Sequence, residues 1–359
     1  MVIRIAIIGL GNCASALVQG LEYYRTHVAD EGLMTPFVGG YSPRDIDVAV
    51  AFDVDKRKVY TPVSKAIFAK PNCCYQMVSS VPFTEAPVLM APILDGVAQH
   101  MYTHPDKSAT FEVSDMKPFC NTPEEAAKVL KEYKVDVLIN YLPVGSTNAS
   151  HFWAETALLS KTPFLNCIPV FIASNPEWAR RFTEANVPIM GDDMKSQFGA
   201  SVLSQMFEEL ATVRGHTVVS HIQQNSGGNT DFLNMMDKTR ILDKKISKEN
   251  VIRNASKDAH FLHAGPSDYI SFLGDTKVAH FNLSMKGFGG SPVTLDAKLV
   301  VQDSPNSAGV VIDAIRYLKT AKDRGLGGPL EGPSAFTQKS PPLPMPLSTA
   351  IEKCKDFLQ

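Results

Sequence analysis

The chain opens with an apolar run, Val2 to Ile8, that ends in Gly9-Leu-Gly11; Ala14, Leu17, Val18 and Leu21 then recur at helical spacing. This pattern predicts a buried strand, a glycine turn and an amphipathic helix. A loop rich in Gly and Pro (EGLMTPFVGGYSPRDI) leads to a second apolar strand, DVAVAFDVD. Residues 56–117 carry many prolines and no sustained period. In TPEEAAKVLKEYKVDVLINYLPVGS, Thr122 is placed to cap a helix with Glu124 and Glu125 in its first turn, and VDVLINYL reads as a buried strand. HFWAETALLS (helix), PFLNCIP (strand), a helix from about Pro176 and VPIM (strand) continue the alternation. Strands apolar on both faces, alternating with helices, predict a parallel sheet covered on both sides.

After about residue 210 the pattern changes. HTVVSHIQQNSGG reads as a strand. Ala279, Phe281, Leu283 and Met285 alternate with polar residues, as do Val293, Leu295, Ala297, Leu299 and Val301, with KGFGGSP between the runs. That is a hairpin of an antiparallel sheet with one open face. SAGVVIDAIRYLKTAKDRG returns to a helical period before a proline-rich tail, KSPPLPMPL. The expected fold class is α/β: a Rossmann-like doubly wound parallel sheet (1–200) with an inserted α+β domain built on an antiparallel sheet (201–305). Residues 306–359 return to the first domain.

Composition changes this picture little. The 359 residues are 44% hydrophobic and 20% charged, with a formal net charge of −2. Nothing there points to nucleic acid or an anionic membrane as partner, and no apolar run is long enough to span a bilayer. The six cysteines have no framework or CxxC spacing, so a reduced, cytoplasmic protein is expected.

Gly9-Leu-Gly11-Asn12-Cys13-Ala14 lies between strand and helix, as in the G-x-G-x-x-G/A dinucleotide fingerprint. The first glycine makes the turn, the second admits a pyrophosphate, and the small third residue lets helix and strand pack closely. Unpaired N–H groups at the helix start would meet the phosphates. Asp53, at the end of the second strand, can bind a ribose diol and repels a 2′-phosphate, which favours NAD over NADP. Its gap from Gly11 exceeds the usual roughly 20 residues, which the intervening loop can absorb. A merely structural glycine turn is the competing reading.

Gly191-Asp-Asp193-Met-Lys195-Ser196-Gln197 follows the last strand of the α/β half and is expected to open a helix. Ser196 and Gln197 would then sit at a helix N-terminus, an anion site, with Lys195 adding a point charge. An Asp-capped helix start explains the same residues equally well. Asn225-Ser-Gly-Gly-Asn229-Thr-Asp231 suits a loop approaching a polar ligand, or an ordinary turn. Lys244 and Lys248 share a helix face, and Lys277 and Lys339 stand apart from them. Converging on one pocket, such lysines would bind phosphate, stabilise an enolate or act as bases. The histidines show no metal-ligand spacing.

These segments together resemble the myo-inositol-1-phosphate synthase family in its shorter prokaryotic branch. The resemblance rests on GLGNCASALVQGLEYY, AFDVD, YLPVGS, PVFIASNPEWA, VPIMGDDMKSQ, NSGGNTDFLN, KKISK, GPSDY, DSPNSAGVVIDAIR and AKDRGLGGP, in order. Residues 70–118 are the least family-like. The resemblance implies conversion of D-glucose 6-phosphate to 1D-myo-inositol 3-phosphate with NAD regenerated each turnover. C5 is oxidised, a proton leaves C6, C6 attacks the C1 aldehyde, and the C5 ketone is reduced again. It further implies Lys244, Lys248, Lys277 and Lys339 as catalytic lysines, with Asp193 and Asp303 as supporting carboxylates. Gly9, Gly11, Asn12, Cys13, Ala14, Asp53, Tyr141, Ser196, Asp231 and Lys244 would bind cofactor. Lys195, Ser196, Gln197 and Asn229 would hold the substrate phosphate, although this chain has Lys-Ser-Gln where longer members carry an extra glycine. Residues 201–305 become a catalytic and tetramerisation domain of a homotetramer, and a divalent or monovalent cation stays open. Two other functions compete: a plain NAD-dependent dehydrogenase of a phosphorylated sugar, needing one base rather than four lysines, and a non-catalytic NAD-sensing scaffold.

Overall fold

Ile3, Ile5 and Ile7 face one side of the first strand, β1 (Ile3–Ile8), and Ala6 and Ile8 face the other; both sides are buried. A strand apolar on both faces needs helices above and below it, and the computed structural model supplies them. It describes residues 2–28, 31–237, 240, 246, 249, 252 and 261–359, with backbone alone at 266 and 267. Labels below follow the described elements.

The first sheet is parallel throughout, in the order β11-β6-β5-β4-β1-β2-β3. Its strands are β1, β2 (Ile46–Asp53), β3 (Val88–Met90), β4 (Val137–Asn140), β5 (Phe164–Asn166), β6 (Pro188–Met190) and, at the far edge, β11 (Gly328–Pro329). The helices of this half are α1 (Asn12–Thr26), the short α2 (Val63–Ala66) and α3 (Gln99–Thr103), α4 (Pro123–Glu132), α5 (Thr147–Ser160) and α6 (Pro176–Glu184). Side chains of α1 cover one face, and those of α4, α5 and α6 cover the other. There Phe52 and Trp153 meet with ring centroids 4.6 Å apart; truncating either to Ala would cost about 3–5 kcal/mol. Thr122 caps α4, its hydroxyl accepting from the Glu125 N–H, as the Thr-Pro-Glu-Glu start predicts. This is the doubly wound Rossmann order, whose ligand crevice opens where strand order reverses, beyond the C-terminal ends of β1 and β4.

The second sheet has the order β10-β9-β7-β8. It is formed by β7 (Thr217–Gly227), β8 (Phe261–Tyr269), β9 (Thr276–Lys286) and β10 (Pro292–Gln302). The expected hairpin is β9–β10, antiparallel with Leu295 opposite Leu283. Ala279, Phe281 and Leu283 face inward with Leu203 and Phe207 of α7 (Ala200–Val213), while Asp296, Lys298 and Val300 are exposed. One expectation is corrected: the sheet is mixed, because β8 runs parallel to β7. Gly265 and Pro266 inside β8 hide it from a reading by period and propensity. The chain continues through α8 (Thr230–Asn234), α9 (Asp303–Asp323), α10 (Glu331–Thr337) and α11 (Leu347–Leu358). Helix α9 leaves β10 directly and packs on α1 and the first sheet. The first and second sheets thus meet at the start of α9.

Candidate active site

At the glycine turn, Gly9 has φ +84°, a left-handed backbone that suits a residue without Cβ. A Cβ there would stand 2.6 Å from the Tyr141 carbonyl oxygen, so glycine also permits the close approach of the β1 and β4 ends. The turn is held from both sides. The Leu10 N–H donates to Asp53 Oδ2 at 2.7 Å, and the Leu10 carbonyl accepts from Lys58 Nζ at 2.8 Å and Asn72 Nδ2 at 3.1 Å. Asp53 Oδ1 accepts the N–H groups of Val54 and Asp55. Lys58 is fully buried, and that burial lowers its pKa. Gly11 caps α1 without a side-chain hydrogen bond. Gly11, Asn12, Cys13, Ala14 and Tyr141 line the main cavity, and a Cβ on Gly11 would meet nothing within 4 Å. The Tyr141 hydroxyl is buried there with no hydrogen-bond partner among the described residues.

The Asp192-Asp193 doublet divides into two roles. Asp192 is fully buried and its carboxylate accepts from Asn166 Nδ2, the N–H groups of Ile172, Ala173 and Ser174, and the Ser174 hydroxyl. It braces the 170–174 loop, with its pKa pushed by burial up to about 6. Asp193, at φ +63°, turns the other way and lines the cavity. Backbone hydrogen bonds lace this segment to the C-terminal one: Asp192 N–H to Ser340 O at 2.9 Å, Ser340 N–H to Asp192 O at 3.0 Å, Lys339 N–H to Asp193 O at 2.8 Å, and Lys195 N–H to Thr337 O at 2.9 Å. That lacing brings Lys339 Nζ to 2.7 Å from Asp193 Oδ1.

Three expectations for this stretch change. Helix α7 starts at Ala200 with Gly199 as its N-cap, so Ser196 and Gln197 precede it rather than open it. Lys195 points away from the cavity lining: its buried Nζ donates to the Ala335 carbonyl at 2.9 Å, and burial lowers its pKa to about 8. Gln197 ties its amide to the Gly32 carbonyl and its N–H to the Asn306 carbonyl, at the surface. Ser196 does line the cavity, beside the first turn of α7 at Gly199, Ala200 and Ser201.

The second sheet brings Lys277, at the start of β9, to the first residue of α9, with Nζ 3.2 Å from Asp303 Oδ1. Both line the cavity. Asp275, which the sequence reading did not single out, organises this corner. Its carboxylate accepts from Asn229 Nδ2 at 3.0 Å and from the Ser304 hydroxyl at 2.7 Å, and its carbonyl accepts the Asp303 N–H. Burial, aided by Asp303, pushes its pKa up to about 6. Asn229 uses its other end, Oδ1, to cap α8 through the N–H groups of Asp231 and Phe232. Asn229 and Asp231 line the cavity. Burial, then Asp303, Asp275 and Asp231, push the Cys13 thiol up to about 12, so it stays protonated. Lys244 and Lys248 lie outside the described residues. Among the described residues, no group of three or more His, Cys, Asp or Glu could hold a metal ion.

The cavity is therefore lined by the first turn of α1, the first turn of α7 and two lysine–aspartate pairs. Such a chamber can bind anionic groups at two helix starts and move protons at a carbon between the lysines. Asp275, Lys58 and Asn72 escaped the sequence reading because an isolated Asp, Lys or Asn carries no local pattern. Only their contacts across the fold mark them.

Comparison with known proteins adds an independent line. The family model for myo-inositol-1-phosphate synthase matches residues 199–304. The chain is 44% identical to the inositol-3-phosphate synthase of Mycolicibacterium smegmatis, covering 99% of this chain and 98% of the relative. Among solved structures, Ari2 matches with a TM-score of 0.78 at 32% identity, covering 100% and 99%. A myo-inositol-1-phosphate synthase-related protein from Thermotoga maritima matches with a TM-score of 0.82 at 24% identity, covering 100% and 98%.

Proposed function

The chain belongs to the myo-inositol-1-phosphate synthase family, and on that premise we propose how its own residues convert D-glucose 6-phosphate to 1D-myo-inositol 3-phosphate with NAD as a regenerated cofactor. The observation that carries the reading is the pair of lysine–aspartate contacts, Lys277–Asp303 and Lys339–Asp193, lining one cavity with the glycine turn. A dehydrogenase needs one proton acceptor. A cyclisation needs a base at C6 and positive charge at both the enolate and the C1 oxygen.

The residues present fit NAD. The uncapped first turn of α1 is open above Gly11, Asp53 stands at the end of β2, and the Tyr141 hydroxyl is buried without a partner among the described residues. Bound there, NAD would supply reversible hydride transfer at C5 of the sugar. Gly11, Asn12, Cys13 and Ala14 offer backbone N–H groups to the pyrophosphate, and Asp53 a carboxylate to the ribose. Ser196 and the first turn of α7 receive the sugar phosphate. One of Lys277 and Lys339, as a neutral amine, would take the C6 proton, and the other, as an ammonium, would hold the developing negative oxygen, with Asp303 and Asp193 orienting the two side chains. The expected roles of Lys244 and Lys248 follow from family membership alone.

The same premise carries a cytoplasmic homotetramer, with 201–305 as its catalytic and tetramerisation domain. In support, the described cysteines are free thiols, and Met206, Leu210 and Val213 leave an exposed apolar stripe on α7. Among the described residues no helix is long and apolar enough to cross a membrane. Product analysis tests the reaction. Incubation with glucose 6-phosphate and NAD is expected to yield inositol phosphate with no net NADH. Accumulation of NADH in step with sugar consumed would replace the reading with a dehydrogenase.

A further inference from the structure

Between α7 and β7 lies a chain of polar side chains that the proposed reaction does not use. Glu208 Oε1 is 2.7 Å from His221 Nδ1, and His221 Nε2 is 3.1 Å from Ser204 Oγ. The Ser204 hydroxyl donates to Gln223 Oε1 at 2.9 Å, and Gln223 Nε2 donates to Asn225 Oδ1 at 3.1 Å. Glu208, His221 and Ser204 are 0% exposed, and Gln223 and Asn225 nearly so. The same sheet face is otherwise apolar, with Ala279, Phe281 and Leu283 beside it. A buried carboxylate–imidazole pair is costly to assemble, and apolar residues of similar volume would pack there at no loss. A purely structural account of the chain is therefore weak.

The chain ends at the cavity. Gln223 lines it, on the same inward face of the sheet as Lys277, and near Ala200 and Ser201 in the first turn of α7. Its Oε1 and one Nε2 hydrogen are taken, which leaves the second Nε2 hydrogen. Next to it, Asn225 Nδ2 is buried with no hydrogen-bond partner among the described residues. Gln223 Nε2 thus keeps one hydrogen for an acceptor in the cavity it lines. An amide can also turn over. Turned over, Gln223 would set its Oε1 against Asn225 Oδ1, acceptor against acceptor, so the Ser204 hydroxyl donating to Oε1 selects the orientation with N–H outward.

We propose that Gln223 is a substrate-contacting residue donating its amide to an oxygen of the sugar phosphate, and that Glu208, His221 and Ser204 are positioning residues that fix the facing of that amide. Gln223 shares its sheet face with Lys277, the residue assigned above to the sugar, and does not belong to the glycine turn assigned to the dinucleotide. The inference rests on the proposed function, which supplies a substrate rich in oxygen acceptors.

The test is a double-mutant cycle on KM. Gln223→Met keeps the volume and removes the amide. It is expected to raise KM for glucose 6-phosphate about tenfold or more, with kcat and NAD affinity little changed. Ser204→Ala is expected to raise KM about threefold to tenfold, with Ser204→Thr restoring it, and to have no further effect in the Gln223→Met background. A KM within twofold of wild type for Gln223→Met overturns the contact. An equal effect of Ser204→Ala in both backgrounds overturns the relay and leaves it a packing element. Calorimetric binding of glucose 6-phosphate separates the two levels. A wild type that binds the sugar without cyclising it overturns the function alone, whereas unchanged binding by Gln223→Met overturns this inference alone.

Discussion

Lys339 Nζ stands 2.7 Å from Asp193 Oδ1, across 146 positions of sequence, and the contact is set by backbone rather than by side-chain reach. The Lys339 N–H donates to the Asp193 carbonyl, and Asp192 and Ser340 exchange hydrogen bonds beside it. Both side chains are then delivered to the cavity with little freedom left to lose. Lys339→Ala is expected to lower kcat by at least a hundredfold while NAD still binds. Inositol phosphate formation and cofactor titration check the two halves. Near-normal turnover in both Lys339→Ala and Lys277→Ala would remove these residues from the chemistry.

The two glycines of the turn should separate stability from binding. Gly9→Ala forces a left-handed residue, which costs about 1–3 kcal/mol, and drives its Cβ to 2.6 Å from the Tyr141 carbonyl. Thermal melting should drop clearly. Gly11→Ala meets no protein atom within 4 Å, so its melting temperature should stay near wild type while NAD affinity falls about tenfold or more, as a methyl group displaces the pyrophosphate.

Tyr141→Phe removes a hydroxyl that has no partner among the described residues. The free protein should lose no stability, since an unpaired buried hydroxyl contributes none. NAD affinity should fall about threefold to tenfold. Loss of stability with unchanged affinity would mean that the hydroxyl serves the fold instead.

Lys195 gives a pH signature. Its folded-state pKa is lowered by burial from 10.5 to about 8, so the unfolded chain holds the proton more tightly. The cost of burying the charge is fully present below about pH 8 and is relieved as pH rises toward 10.5. Wild type should therefore gain about 2 kcal/mol between pH 7.5 and 9.5 relative to Lys195→Met. Urea unfolding of both proteins at the two pH values measures it. Because Nζ donates to Ala335 rather than facing the cavity, KM for glucose 6-phosphate should stay within threefold.

Much of the α/β half was legible because its signals are local. The apolar run of β1, the glycine turn, the Thr122 cap and the alternation in β9 and β10 are each contained in a dozen residues. Elements whose cause lies elsewhere were not legible. Val88–Met90 and Gly328–Pro329 are too short to show a period and become strands only because a sheet edge is there to receive them. Adjacent Asp192 and Asp193 look equivalent in sequence, and only the turn at Asp193 sends one buried carboxylate against the 170–174 loop and the other into the cavity. Lys195 and Gln197 drew attention by their chemistry, but the Ala335 and Gly32 carbonyls that engage them lie far along the chain. Pairings such as Lys277 with Asp303 depend on strand register, which spacing does not reveal.

The lacing of residues 192–195 to 337–340 also sets an order of events during synthesis. The glycine turn and the 191–197 segment leave the ribosome early, but α1 packs on α9 and residues 192–195 bond to 337–340, so both reach their final geometry only with the last fifth of the chain. Asp193 gains Lys339 only after the C-terminal segment has emerged and returned to the first sheet. A nascent or C-terminally truncated chain thus lacks the Lys339–Asp193 pair, so no sugar is enolised through that pair by an unfinished protein.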